Sequence, residues 1–182
     1  MPPDYPVSLS LEKLYGLFGE MSRPDYVPVP AEAVPPPYNH LLVHHQHMTV
    51  TMEAFYGGPV ALRVLARKRF DSWYARKILL LREQRVVQFG MMRIHLDLCS
   101  VEVRSAILRE DTPLGHILIQ HRVLRYIEPV AYLRLFPDAA MCAWFGLAKP
   151  QETYGRLAII HCDHQPAVEL LEIAAPVILP AR

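Results

Sequence analysis

Hydrophobic and polar positions alternate in three consecutive segments near the middle of the chain. Residues 60–70 alternate loosely, residues 73–82 have a dense apolar centre, and residues 85–96 follow after the polar pair Glu83-Gln84. Two apolar runs joined by a short polar turn are typical of a β-hairpin. The pattern therefore predicts strands over these three segments, with a tight turn at Glu83-Gln84.

The C-terminal third of the chain has the same strand character. Residues 121–136 predict either one strand interrupted by Pro129 or two short strands, because proline lacks an amide donor. Residues 154–162 and 167–175 predict two further strands. A turn at residues 163–166 joins them, since aspartate and proline both favour turns.

Apolar residues recur at helical spacing in the remaining segments. This pattern predicts a helix over 9–21 with Ser8 or Ser10 as its cap, and one or two helices over 40–55 that end at Gly57-Gly58-Pro59. It also predicts a helix over 101–109 capped by Ser100, and one over 112–120 with Thr112 as N-cap and Pro113 as the first helical residue. The proline-rich segment 24–37 cannot hold a regular helix, so we expect an extended connector there. Helices do not alternate with strands, which favours an α+β fold with a single antiparallel sheet and helices packed on one face. We expect residues 1–37 to form an N-terminal helix and connector, and residues 38–182 to form the main domain.

Composition and charge narrow the class of protein. The 182 residues are 52% hydrophobic and carry a formal net charge of +1, which suits one globular domain and predicts no nucleic-acid or membrane partner. The three cysteines, Cys99, Cys142 and Cys162, form no CxxC pair, so reduced thiols and a cytoplasmic location are expected. Neither a signal peptide nor an apolar run long enough for a membrane helix is recognisable.

Two clusters with potential chemistry give weak signals. His44, His45 and His47 lie close together, but their spacing fits no common zinc motif, and solvent-facing or capping histidines are the favoured interpretation. Cys162 follows His161, yet neighbours on a strand point to opposite faces and cannot form a nucleophile–base pair. The sequence therefore predicts no metal and no cofactor.

Charged residues within apolar strands are more informative. Depending on the register, Arg76 or Lys77 points inward, and a buried arginine needs an anionic partner, either a structural carboxylate or the carboxylate of a ligand. Glu169 and Glu172 are three residues apart, so one of them can face inward, where burial would raise its pKa. The turn at residues 112–115 offers free backbone amides that attract an anion, although a plain capped helix start is the favoured interpretation of this turn taken alone.

The order and spacing of several segments resemble the chorismate pyruvate-lyase family, over residues 46–176. These segments are WYARKILLL, a two-residue turn, a strand containing Gly90, TPLG at 112–115, Tyr154-Gly155-Arg156, His164-Gln165-Pro166 and ELLEIAAP. The resemblance implies a six-stranded antiparallel sheet and a ligand enclosed beneath helical flaps. It also implies that Arg76, the amide of Leu114, Met48 and Glu172 contact the ligand, and that Arg156 belongs to the site. Family members often have Gly-Arg where this chain has Gly90-Met91, so we expect Arg93 to replace that arginine.

The resemblance further implies a carbon–oxygen lyase that splits chorismate into 4-hydroxybenzoate and pyruvate, with Arg76 and Glu172 as catalytic residues. Burial would keep Glu172 protonated, so that it could hydrogen-bond the departing ether oxygen. The pathway would be ubiquinone synthesis or that of a phenolic secondary product. The alternative is a sensor-like protein of the same fold that binds a small aromatic carboxylate without a reaction. A small molecule is the expected partner in both cases, and the oligomeric state stays open.

Overall fold

The computed structural model describes residues 9–19 and 22–177. It contains seven strands, β1 (Asp25–Val29), β2 (Val60–Phe70), β3 (Trp73–Arg82), β4 (Arg85–His95), β5 (Arg125–Phe136), β6 (Thr153–Cys162) and β7 (Gln165–Ala174). Its α-helices are α1 (Leu11–Gly16), α2 (Tyr38–Leu42), α3 (Met48–Tyr56), α4 (Val101–Arg109), α5 (Leu114–Gln120) and α6 (Ala139–Phe145). The two predicted hairpins, β3–β4 and β6–β7, are both present and are neighbours in the sheet.

The seven strands form one sheet in the order β1-β5-β6-β7-β4-β3-β2, and every neighbouring pair is antiparallel. The predicted α+β fold with a single antiparallel sheet is therefore confirmed. The strand count is seven and not six, because part of the expected connector forms β1 and pairs with β5. Pro28 is compatible with β1 because an edge strand needs hydrogen bonds on one side only. The expected boundary between residues 37 and 38 stays a prediction.

Side chains alternate between two hydrophobic clusters, one on each face of the sheet. On β3, Ile78 and Leu80 belong to the first cluster, whereas Leu79 and Leu81 belong to the second. Helices α2, α3, α4 and α5 contribute to the first cluster and form the predicted helical layer on that face. The second cluster includes residues of α1 and α6, so the opposite face is partly covered as well.

Local differences from the sequence prediction have simple causes. Helix α5 begins at Leu114 with Pro113 as its N-cap, one residue later than predicted. Strand β5 runs unbroken past Pro129, because a bulge between Pro129 and Ala131 absorbs the missing amide donor. Helix α6 was not predicted, although Asp138 caps it by accepting a hydrogen bond from the amide of Met141. Helix α1 ends at Gly16, and its alternative cap Ser8 and predicted end Met21 lie outside the described residues.

Two further expectations concern the environment of the protein. Cys99, Cys142 and Cys162 are free thiols. In the described part of the chain, no helix has the length and apolar character needed to cross a bilayer.

Candidate functional site

A small cavity lies between the sheet and the starts of α3 and α5. Its walls come from four adjacent strands and two helix N-termini, and its lining residues are His47, Met48, Thr49, Arg76, Ile78, Leu80, Gln88, Met92, Pro113, Leu114, Gly115, Ile160, Leu170 and Glu172. Its volume is about 30 Å³, enough for only one or two water molecules. Met48, Arg76, Leu114 and Glu172, four of the residues expected to contact a ligand, all line this cavity.

Arg76 is the most unusual of the lining residues. Its side chain is 0% exposed, and none of its three guanidinium nitrogens has a hydrogen-bond partner within residues 9–19 and 22–177. Burial lowers the pKa of Arg76; the Tyr74 hydroxyl, which lies near the guanidinium without meeting hydrogen-bond geometry, and the Glu110 carboxylate partly offset that effect. An enclosed charged group without an internal partner costs several kcal/mol. The sequence predicted an anionic partner for Arg76, either a structural carboxylate or the carboxylate of a ligand. No carboxylate of the described chain forms such a pair with Arg76.

Gln88 and Gly90, two positions of β4, shape the cavity next to Arg76. Gln88 is 2% exposed, lines the cavity, and its Oε1 atom has no hydrogen-bond partner in the described structure. A Cβ atom at Gly90 would lie 3.0 Å from Cγ1 of Ile78, which also lines the cavity, so glycine leaves room there. Sequence reasoning missed Gln88, although a polar residue in the apolar run VVQFGMM was a usable signal.

Glu172 faces the same cavity from β7, but it has a partner. Arg156 lies opposite it on β6, and its Nε atom donates a hydrogen bond of 2.7 Å to Oε2 of Glu172. Burial raises the pKa of Glu172, and the Arg156 guanidinium acts in the opposite direction. Arg156 is 1% exposed and is not among the lining residues. The structure therefore places Arg156 behind Glu172, where it supports the carboxylate and has no contact with the cavity.

The roof of the cavity consists of residues 47–49 and 113–115. A Cβ atom at Gly115 would lie 3.0 Å from both the Cβ atom of His47 and the Oγ1 atom of Thr49, so the two helix starts are tightly packed. The Nε2 atom of His47 accepts a hydrogen bond of 2.7 Å from Nε of Arg125. Burial, together with the positive charge of Arg125, lowers the pKa of His47 to about 4. His47 is therefore a neutral member of the roof at neutral pH.

Arg93 lies on the other side of the sheet. Cavity-lining Gln88 and Met92 share one face of β4, whereas Arg93 projects from the face of Met91, which belongs to the second cluster. Its guanidinium makes a two-point ion pair with Glu169, with distances of 2.7 Å and 2.9 Å, and stacks on the ring of Trp73. Arg93 therefore does not replace the family arginine in the cavity, and we leave it out of the proposed site.

The histidine cluster before α3 makes backbone contacts. The Nε2 atom of His44 lies 2.7 Å from the carbonyl oxygen of Leu41, and Nδ1 of His45 lies 3.0 Å from that of Ile127. No group of three or more histidine, cysteine, aspartate or glutamate residues that could hold a metal occurs among the residues described.

A larger hollow of about 270 Å³ lies near Leu98, Cys99, Val103, Leu118 and Cys162. None of its lining residues has a buried side-chain nitrogen or oxygen without a hydrogen-bond partner, as far as the described structure goes. The smaller cavity, where Arg76 and Gln88 have such atoms, is therefore the candidate functional site.

No protein-family model and no curated protein sequence matches this chain. Solved structures do. PhnF from Mycobacterium smegmatis is 10% identical with a TM-score of 0.51, over 77% of this chain and 71% of PhnF. Gene product SA0254 from Staphylococcus aureus is 7% identical with a TM-score of 0.51, over 68% of this chain and 89% of that chain. The possible transcriptional regulator YydK from Bacillus subtilis is 11% identical with a TM-score of 0.48, and the match spans 68% of this chain but 62% of YydK.

These comparisons overturn the expected enzyme. Neither PhnF nor SA0254, each with a TM-score of 0.51, is named as a lyase. The assignment as a carbon–oxygen lyase in ubiquinone synthesis is therefore wrong, and the catalytic roles expected for Arg76 and Glu172 are withdrawn with it. At identities of 7% and 10%, the structural likeness establishes the fold alone. The chain has the chorismate lyase-like α+β fold, which it shares with PhnF.

Proposed function

We propose that this chain is a non-catalytic binding domain that takes up a small organic carboxylate with a flat apolar body, and that Arg76 binds the carboxylate. The observation that carries the proposal is the fully buried guanidinium of Arg76, whose three nitrogens have no partner among the described residues. A guanidinium group binds a carboxylate through two parallel hydrogen bonds, each shorter and stronger than a neutral one. A bound carboxylate would supply both the negative charge and the hydrogen-bond acceptors that the Arg76 guanidinium lacks.

The other walls of the cavity fit the rest of such a ligand. Apolar side chains from β3, β4, β6 and β7 surround Arg76, and these are Ile78, Leu80, Met92, Ile160 and Leu170. Gln88 adds a carbonyl oxygen without a partner in the described chain, which can accept a hydrogen bond from the ligand. Apolar walls with a few placed polar groups are typical of small-molecule sites. The amide of Leu114 and the side chain of Met48 lie where they can contact the same ligand, and these contacts stay predictions.

The cavity must open before a ligand of this size can bind. Pockets for small organic ligands usually measure roughly 300–1,000 Å³, whereas this one has about 30 Å³. The strands below are paired on both sides, so the movable parts are the starts of α3 and α5 in the roof. The chain shares its fold with PhnF, and part of PhnF is described as an effector domain. A roof that opens when a ligand binds would suit an effector-binding role for this chain.

Calorimetric titration with matched ligands and matched variants tests the proposal. We expect 4-hydroxybenzoate to bind and 4-hydroxybenzamide, its neutral counterpart, to bind at least about tenfold more weakly, because a hydrogen bond to a charged group contributes about 1.5–3 kcal/mol. Arg76→Met should abolish this preference. Arg93→Met is the matched control, since Arg93 projects from the opposite face, and it should leave the preference unchanged. Equal affinity for acid and amide, or an unchanged preference in Arg76→Met, would refute the proposal.

A further inference from the structure

Three backbone carbonyls of the segment between α2 and α3 converge on one buried side chain. Nη1 of Arg156 donates to the carbonyl oxygens of Leu42 at 3.1 Å and His44 at 2.9 Å, and Nη2 donates to that of Gln46 at 3.0 Å. Nε of the same guanidinium donates to Glu172. Residues 42–46 lie about 110 positions away in the sequence, so this contact joins a loop to the centre of the sheet.

These contacts distinguish Arg156 from Arg76, although both face the helical side of the sheet. All three nitrogens of Arg156 are bonded, and its charge is neutralised by Glu172 at 2.7 Å. An irregular segment that is folded inward must satisfy its carbonyl groups, and a planar guanidinium can hold several of them in fixed directions. Arg156 therefore orders residues 42–46, with four of its five N–H groups engaged and its charge neutralised by Glu172.

Arg156 connects two walls of the cavity without lining it. Glu172, on one end of the contact, lines the cavity floor, and the segment on the other end leads directly into His47 and Met48 of the roof. We infer that Arg156 is a positioning residue that holds the roof over the cavity, and that Glu172 is the group through which a bound ligand changes the hold on residues 42–47. The second half of this inference rests on the proposed function, whereas the first half does not.

Hydrogen–deuterium exchange on the ligand-free chain tests the positioning role. Arg156→Met should raise exchange of the amides in residues 42–49 by about tenfold or more relative to amides of β3 and β4. Arg156→Lys keeps a cation next to Glu172, but one ammonium group cannot span the carboxylate and all three carbonyls. It should therefore melt at a higher temperature than Arg156→Met and still show raised exchange in residues 42–49.

The control is Arg93→Met, which breaks a buried ion pair on the opposite face. If this variant and the Arg156 variants raise exchange in residues 42–49 equally, relative to the sheet, Arg156 is merely structural and the inference fails. If Arg156→Met does not fold, exchange in residues 42–49 is compared between Arg156→Lys and Arg93→Met instead, and the same criterion tests the positioning role.

A second arm adds 4-hydroxybenzoate. In the wild type, the ligand should change exchange in residues 42–47 at least about threefold. Because Glu172 lines the cavity, Glu172→Gln is expected to weaken binding, so this variant is measured at a 4-hydroxybenzoate concentration that saturates it; at saturation the change in exchange at residues 42–47 should disappear. Absence of binding to the wild type would refute the proposed function and the coupling through Glu172, yet the ligand-free comparison would still decide the positioning role. Binding without any change at residues 42–47 would refute the coupling alone.

Discussion

Arg76→Met replaces a buried, unpaired guanidinium with an uncharged side chain of similar length, and we expect the ligand-free protein to become more stable. Most substitutions of fully buried residues destabilise a protein, so an increase in the free energy of unfolding would indicate that Arg76 lacks a partner in the ligand-free protein. It follows from the three nitrogens of Arg76, which have lost water without gaining a partner in the described structure. Removing them takes away a desolvation cost and leaves the apolar neighbours Ile78 and Met92 in place.

The magnitude comes from opposing contributions. Replacing buried charged groups with apolar residues of similar volume often stabilises proteins by about 1–4 kcal/mol. Methionine fills less space than arginine, and the favourable electrostatic influence of Tyr74 and Glu110 on the Arg76 charge disappears, so the lower half of that range applies. A net gain of about 1–2 kcal/mol corresponds to a rise in melting temperature of about 2–8 °C for a chain of this size.

Urea unfolding followed by circular dichroism measures the change, with Arg93→Met as the matched comparison. Arg93 is bonded at two points to Glu169, which is 6% exposed, so its loss leaves a buried carboxylate unpaired. That variant should lose about 2–4 kcal/mol. The same chemical change at two positions should thus have opposite signs. If Arg76→Met is destabilised as much as Arg93→Met, the buried guanidinium has a partner in the protein, and the inference of an open ligand position is wrong.

Three further changes test the cavity and its roof. The pKa of His47 is 6.5 in the unfolded chain and about 4 in the folded one, so folding favours the neutral imidazole. The resulting stability is fully present above pH 6.5, and about 3 kcal/mol of it is lost as the pH falls from 6.5 through about 4. Urea unfolding at several pH values should show this loss in the wild type and not in His47→Gln. If the two pH profiles are parallel, His47 does not titrate as described. Gly90→Ala adds a methyl group 3.0 Å from Cγ1 of Ile78 and should weaken 4-hydroxybenzoate binding by about tenfold or more in calorimetry, so an unchanged dissociation constant would place the ligand elsewhere. Gly115→Ala should cost about 1 kcal/mol in thermal unfolding, because the new Cβ lies 3.0 Å from Oγ1 of Thr49 and overpacking outweighs the gain in helix propensity; equal stability would show that the two helix starts adjust freely.

The sequence was sufficient to predict the strands that build the site. Alternation and turn chemistry located the β3–β4 and β6–β7 hairpins within a few residues, and these hairpins bring Arg76 and Glu172 onto one face of the sheet. Strand β1 was missed because its segment is rich in proline. The physical reason is that a strand at the sheet edge tolerates Pro28, so the usual exclusion of proline from strands did not apply.

The orientation of the charged side chains on β4 was beyond the sequence. Residues 86–92 are buried on both faces, and a strand covered on both sides has a continuous apolar run that gives no indication of its inner face. The resemblance to the lyase family suggested Arg93 as the substitute for the arginine that follows Gly90 in that family, and the burial pattern of β4 could not show that it projects to the other side. The role of Arg156 was hidden for a different reason. Its partners are carbonyl groups of residues 42–46, and no side-chain pattern identifies which distant loop will fold over a given strand.

Arg76 and Arg156 occupy equivalent settings, in that each is buried on the helical face of the sheet and projects from a central strand. The two residues differ in the number of hydrogen-bond acceptors that contact their guanidinium groups. Arg156 meets one carboxylate and three carbonyls, so an external anion would find its charge already neutralised and four of its five N–H groups engaged. Arg76 meets none in the described chain, so an external anion gains its full interaction and also relieves a cost that folding has left in place. A binding protein gains affinity where its own fold leaves a charge unsatisfied, and the Arg76 guanidinium is such a position in this cavity.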